Sequence, residues 1–143
     1  MKKNFIGLSD FGPFRNILDF DVKFPIDFKT ALTVLGGNKT LFFHVLGRFD
    51  SALQRSMENI ATLVDKRDFS AIDMNVHILM TSSGTVGAGR LHYACFYLRE
   101  AYHRNDMEDI LQRCYPLVVE ASVEVKRYAK KFTAEFHGHE YRE

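Results

Sequence analysis

The stretch at residues 75–101, NVHILMTSSGTVGAGRLHYACFYLREA, joins two periodic apolar segments through a glycine-rich turn. Apolar residues recur three or four positions apart from Phe69 to Val86, and again from Leu91 to Tyr102. This period is that of an amphipathic helix with one buried face. The stretch therefore predicts two helices that meet at a turn, with Gly87 ending the first.

The same period extends upstream. Pro25 can occupy the first turn of a short helix that Gly36 and Gly37 would end. Asn38 would cap a long helix, and Asp68 would cap the helix that follows it. The apolar positions of the long helix are Phe42, Val45, Phe49, Leu53, Met57, Ile60 and Val64.

A last helix is predicted from Ile110 to Tyr128, with a kink at Pro116. Four long amphipathic helices with short connections predict an all-α fold, an antiparallel four-helix bundle with an additional amino-terminal helical segment packed across it. We expect one domain over residues 1–143, with an irregular lead at 1–24, the bundle at about 25–132 and a frayed tail at 133–143. An aromatic cluster is expected to cover one end of the bundle and comprises Phe5, Phe11, Phe14, Phe20, Phe24 and Phe28.

Composition and charge argue against a nucleic-acid-binding protein and against a membrane protein. The chain has 143 residues, 46% of them hydrophobic, and a net charge of +1, which gives no electrostatic reason to bind nucleic acid or an anionic membrane. No apolar run approaches the roughly 20 residues of a membrane span. We expect a cytoplasmic monomer without a cofactor or metal. Cys95 and Cys114 fall at apolar positions and are predicted to be reduced core thiols.

The glycines after VHILM invite a comparison with nucleotide-binding loops. Gly84, Gly87 and Gly89 give neither the G-x-G-x-x-G order nor the Lys-Ser/Thr ending of a P-loop. The apolar period that begins at Phe69 is also too long for a typical strand. The glycines are better explained as the end of one helix and the turn into the next.

His77 lies about 100° around its helix from Val76, and therefore off the predicted core stripe. Its own face carries mostly small or polar residues, which leave the imidazole accessible; these are Ser70, Asp73, Met80, Thr81 and Gly84. A neutral imidazole is a nucleophile near neutral pH. Geometry alone leaves two interpretations open, a reactive histidine and an ordinary structural one.

The residues around His77 resemble the signature of histidine-containing phosphotransfer (HPt) domains. The matching positions are His77, Leu79, Ser82, Ser83, Val86, Gly87, Ala88, Leu91, Cys95 and Leu98, and LGGN at 35–38 is also similar. The resemblance spans about residues 27–132. It implies a four-helix bundle without kinase activity that carries a phosphoryl group on His77. The implied partners are a sensor histidine kinase and the receiver domain of a response regulator.

Two positions depart from the family pattern. Met80 stands where the family usually has Lys, and Thr81 stands where it usually has Gly. Arg99 lies where the family commonly carries Gln or Glu facing the phosphorylation site, and it is our candidate phosphate contact; the alternative is an ordinary solvated arginine. If a receiver docks over the His77 face, Asp73, Met80, Thr81 and Gly84 should touch it.

Two functions remain after the sequence is considered. The first is a phosphorelay intermediate, and the second is a degenerate HPt-like bundle that binds a signalling partner without phosphotransfer. The intact His77 favours the first, whereas Met80 and Thr81 favour the second. The other histidines are predicted to be surface or interface residues (His44, His92, His103) or tail residues too few for a metal site (His137, His139).

Overall fold

The computed structural model describes the backbone of residues 21–141 and the side chains of residues 21–134, and all regular structure in this part is helical. The helices are α1 (Phe28–Val34), α2 (Lys39–Asp65), α3 (Phe69–Thr85), α4 (Gly89–His103), α5 (Met107–Asp109) and α6 (Tyr115–Tyr141). A π-helical segment (Ile110–Cys114) joins α5 to α6. The predicted helical class is therefore confirmed for the described residues.

Side-chain caps fix where the helices begin. The Asn38 carboxamide oxygen accepts a hydrogen bond from the Leu41 amide at 2.9 Å, and the Asp68 carboxylate accepts one from Ala71, so both predicted caps are confirmed. The first helix differs from the prediction. It begins at Phe28, capped by Asp27, and Pro25 therefore precedes the helix instead of occupying its first turn.

The turn between α3 and α4 is built on Gly87, as predicted. Its φ of +79° belongs to the left-handed region, and the Ala88 amide closes the turn by donating to the Ser83 carbonyl at 2.9 Å. The Asp27 amide donates to the Gly87 carbonyl at 2.7 Å, and a Cβ on Gly87 would lie 2.5 Å from the Asp27 carbonyl oxygen. The start of α1 is thus seated against this turn.

The four long helices contact one another in a closed ring. α3 packs against α2 and α4, and α6 packs against the same two helices. The predicted core positions of α3 are buried except for the half-buried Phe69; they are Ile72, Val76, Leu79, Ser83 and, at the cap, Val86. On α2, Val45 and Met57 are half-buried, and Leu46 is buried although the predicted stripe omitted it.

The last helix is disturbed just before Pro116. Proline lacks an amide hydrogen, so the usual bond back to the Gln112 carbonyl cannot form, and the π-helical turn occupies this part of the helix. α6 then continues through Tyr141, well beyond the expected end of the bundle at residue 132. Within residues 21–141, no helix combines the length and the apolar composition needed to cross a bilayer.

Arg90, in the first turn of α4, ties the segment before α1 to the bundle. Its guanidinium donates to the Val22 carbonyl at 2.7 Å and to the Lys23 carbonyl at 2.6 Å. The same group pairs with Glu124 of α6 at 3.0 Å. One side chain therefore joins three parts of the chain.

Of the predicted aromatic cluster, Phe28 packs on the bundle, with its ring 5.1 Å from that of Phe42 and 5.5 Å from that of Phe132. Phe24 is half-exposed. Phe5, Phe11, Phe14 and Phe20 lie outside the described residues.

Both cysteines are free and buried, which confirms the prediction of core thiols. Burial raises the pKa of Cys95 and, to about 12, that of Cys114. Both therefore stay protonated at neutral pH, which makes them poor nucleophiles and poor metal ligands.

Candidate functional site

His77 lies on the exposed side of α3, as its position off the core stripe predicts. The preceding residue, Val76, is fully buried, so the two neighbours divide the helix between core and solvent. The histidine side chain is carried by a helix and not by a loop, so the helical backbone sets the direction of its Cα–Cβ bond.

Arg99 of α4 reaches across to α3. Its Nε lies 2.9 Å from Asp73 Oδ1, and its Nη2 lies 3.4 Å from Asp73 Oδ2. The side chains of Arg99 and Asp73 are only 24% and 14% exposed. Arg99 is therefore paired across to α3 and does not extend freely into solvent.

The Asp73–Arg99 pair stands one helical turn before His77. Residues four apart on a helix share a face, with Cβ atoms about 5–6 Å apart. Helical side chains also lean toward the amino terminus of the helix, so the His77 imidazole leans toward the turn that carries Asp73. The helical period therefore places His77 on the same side of α3 as the Asp73–Arg99 pair, one turn further along the helix.

His92 corrects a prediction. We expected a surface or interface histidine, but the residue is only 7% exposed and its Nδ1 lies 2.9 Å from the Met80 carbonyl oxygen. A carbonyl only accepts, so Nδ1 carries the proton. Burial lowers the pKa of His92 and favours the neutral ring. The sequence obscured this because residues around it on α4, such as Tyr93 and Ala94, are also buried, leaving no polar face to read.

The predicted docking residues divide into two groups. Thr81 is exposed, and its hydroxyl donates to the His77 carbonyl at 3.2 Å. The other group comprises Asp73, Met80 and Gly84. Viewed down the α3 axis, these residues lie about 20–60° around the helix from His77, on the side that faces α4. Met80 is half-buried against the core, and a Cβ on Gly84 would lie 3.3 Å from His92 Nδ1.

An exposed apolar pair escaped the sequence analysis. Met74 and Ile78 are each 64% exposed, and they stand four residues apart on the outer side of α3, next to His77. The available signal was their position opposite the core stripe, where an amphipathic helix normally carries polar residues. Adjacent exposed apolar side chains are one feature of surfaces that contact other proteins.

Two open depressions lie on the described surface, one beside Arg99 and one on α2. A shallow depression of about 200 Å³ adjoins Arg99 and is lined by Phe96, Arg99, Glu100 and His103. A broader groove of about 590 Å³ runs along α2, where it is lined by His44, Gly47, Arg48, Ser51, Ala52 and Arg55. Among the described residues, no three His, Cys, Asp or Glu side chains are grouped so that they would hold a metal ion.

Comparison with protein-family models, with curated proteins and with solved structures finds no match for this chain.

Proposed function

We propose that this chain is a histidine phosphotransfer protein of a two-component phosphorelay, which carries a phosphoryl group on His77 between a sensor histidine kinase and a receiver-domain aspartate. The main support is an exposed helical imidazole one turn from a fixed guanidinium. The resemblance of residues 76–100 to the HPt signature adds to it. The ring of contacts among α2, α3, α4 and α6 supports an antiparallel four-helix bundle, the architecture that this function uses.

The reaction requires little from the bundle beyond the nucleophile. A lone pair on a neutral His77 nitrogen attacks the phosphorus of the receiver's aspartyl phosphate. The N–P bond forms as the P–O bond breaks, and the aspartate leaves as a carboxylate. The phosphorylated ring then releases the proton from its other nitrogen to solvent. Return of the phosphoryl group to a second aspartate reverses these steps.

Arg99 takes the part of the lysine that this chain lacks. Met80 offers no hydrogen-bond donor, and its side chain is half-buried. A guanidinium presents several donors in a plane and pairs with phosphoryl oxygens through charge-assisted hydrogen bonds. A cation on α4 thus replaces one on α3.

Docking of the receiver is assigned to the outer side of α3. Met74, Ile78 and Thr81 surround His77 there and are exposed. Asp73, Met80 and Gly84 remain predicted contacts at the border with α4, where a partner would reach them only from the side.

The second candidate function is a degenerate bundle that binds a signalling partner without phosphotransfer. Met80 and the exposed Thr81 favour it, because they stand where a cation and a glycine are expected. Both functions use the same fold and the same docking surface. They differ only in whether His77 forms a bond to phosphorus.

The test is transfer from a receiver domain charged with a small phosphodonor such as acetyl phosphate. We expect acid-labile, alkali-stable phosphate on the wild-type chain and none on His77→Gln. His44→Gln, which alters another exposed histidine, should accept phosphate normally. A wild-type chain that binds a charged receiver but never acquires phosphate would establish the degenerate function instead.

A further inference from the structure

Among the described residues, acceptors occupy only one edge of the Arg99 guanidinium. The Nε and Nη2 donors face the Asp73 carboxylate at 2.9 Å and 3.4 Å. Within the described part of the chain, Nη1 has no acceptor. The Nη1–Nη2 edge therefore remains available to an incoming anion.

The Asp73 carboxylate, in turn, bonds to Arg99 and to no other described residue. It caps no helix. The pair is largely covered, unlike that of Arg104 and Asp106, which are 51% and 44% exposed. Reduced solvent screening strengthens an ion pair of good geometry relative to a fully exposed one.

The ion pair with Asp73 restricts the positions that the Arg99 guanidinium can occupy. An unrestrained arginine side chain samples many rotamers, and ordering it costs conformational entropy each time it binds a ligand. Asp73 keeps the guanidinium at the α3–α4 border, one turn before His77, so this ordering is already done before phosphorylation.

We propose that Asp73 is a positioning residue, which holds one edge of Arg99 so that the other edge meets the phosphoryl oxygens on His77. This inference rests on the proposed function. Phosphorylation leaves the Asp73–Arg99 contact in place and adds a new contact at Nη1. The gain is a longer-lived phosphohistidine.

If Asp73 had the opposite role, its removal would change the lifetime of phosphohistidine in the opposite direction. If Asp73 merely competed with the phosphoryl group for Arg99, its removal would free the arginine, relieve charge repulsion and lengthen the lifetime of phosphohistidine. The direction of the change on removing Asp73 therefore distinguishes a positioning residue from a competitor.

The experiment uses phosphoramidate, which phosphorylates exposed imidazoles without a protein partner. The loss of phospho-His77 is followed by ³¹P NMR, with His77→Gln as the blank for other histidines. We expect Asp73→Ala to accelerate the loss about fivefold, on the scale of one charge-assisted contact. Asp73→Asn, which keeps one acceptor oxygen, should give a smaller acceleration. In an Arg99→Gln background, Asp73→Ala should give no acceleration.

Asp109→Ala is the matched control, because it removes a carboxylate held by Arg113 at 2.9 Å and 3.0 Å on other helices. It should leave the loss rate unchanged. A second readout is the ¹H–¹⁵N signal of the Arg99 Nε–H group. After phosphorylation its chemical shift should still be that of a group hydrogen-bonded to Asp73. A shift showing that this hydrogen bond has broken would overturn the proposal.

A loss rate that is slower or unchanged in folded Asp73→Ala also overturns the positioning role. The two proposals fail separately. Normal transfer from a receiver with no Asp73 effect removes only the positioning role. An Asp73 effect after phosphoramidate treatment, without transfer from any receiver, removes the phosphorelay function and leaves the Arg99 geometry standing.

Discussion

On the flank of α3 that faces α4, the Asp73 carboxylate and the Met80 carbonyl each accept a hydrogen bond from an α4 side chain. On the outer flank, Met74 and Ile78 leave 64% of their surface in solvent. His77 stands between the two. The polar groups of the α4-facing flank, here called the closed flank, are paired inside the protein, whereas the apolar side chains of the outer flank are exposed. Substitutions should therefore affect stability on the closed flank, and binding of the proposed receiver on the outer flank.

The largest effect is expected where the closed flank ends. Gly87→Ala should destabilise the fold by about 3 kcal/mol or more, because it combines an unfavourable positive φ with a Cβ 2.5 Å from a backbone oxygen. Gly36→Ala is the matched control, since Gly36 also has a positive φ of 69° but nothing within 4 Å of its Cβ position. It should cost about 1 kcal/mol. Urea unfolding measures both, and equal losses would show that crowding against Asp27 is unimportant.

Substitutions of the two histidines should differ in how much stability they cost. His92→Ala should cost about 2–3 kcal/mol, because it empties a buried site and removes the hydrogen bond to the Met80 carbonyl. His77→Gln should change the free energy of unfolding by no more than about 0.5 kcal/mol. A large loss from His77→Gln in thermal unfolding would show that this residue belongs to the closed flank.

Ile78→Asp should weaken receiver binding about tenfold without affecting the fold, because it places a charge in the exposed apolar pair. Val123→Asp on α6 is the control, since that side chain is 45% exposed away from α3. Isothermal titration with a receiver domain measures the affinities. Gly84→Arg is a poorer probe, because a side chain there also presses on His92. Undiminished binding by Ile78→Asp would place the partner elsewhere.

The smallest effect is a pH dependence of stability. Burial lowers the pKa of His92 below 6.5, so between the folded and unfolded pKa values the unfolded chain binds more protons. The free energy of unfolding should therefore fall as the pH drops from about 7 through this window. Hydrogen bonds from Arg113 lower the pKa of Asp109 below 3.8. The contribution of Asp109 to the free energy of unfolding is therefore lost only in stronger acid, below the window in which His92 titrates. A His92→Gln chain that keeps the full slope between pH 7 and 5 would contradict this assignment.

The helical period predicted most of the fold because a helix buried on one side carries apolar residues three or four positions apart. On α3, this spacing identified the core positions and also placed His77 off the core. Local capping chemistry likewise identified Asn38 and Asp68. These features depend on residues only a few positions apart.

Features that depend on distant segments were not predicted. The burial of His92 follows from how α4 sits between α3 and α6, and the crowding at Gly87 comes from Asp27, sixty residues earlier in the chain. The Asp73–Arg99 pair is of the same kind. The resemblance to the HPt signature made Arg99 a candidate phosphate contact, but its carboxylate partner is fixed only when the two helices pack.

The contacts of Arg90 bear on how long the native chain survives. Their carbonyl partners lie 68 and 67 residues earlier in the sequence, so these hydrogen bonds join segments that are far apart along the chain. Contacts of high sequence separation form late in folding, after neighbouring helices have paired. Interactions absent from the folding transition state act mainly on the unfolding rate. We therefore expect this arginine to govern the persistence of the folded protein far more than the speed at which it forms.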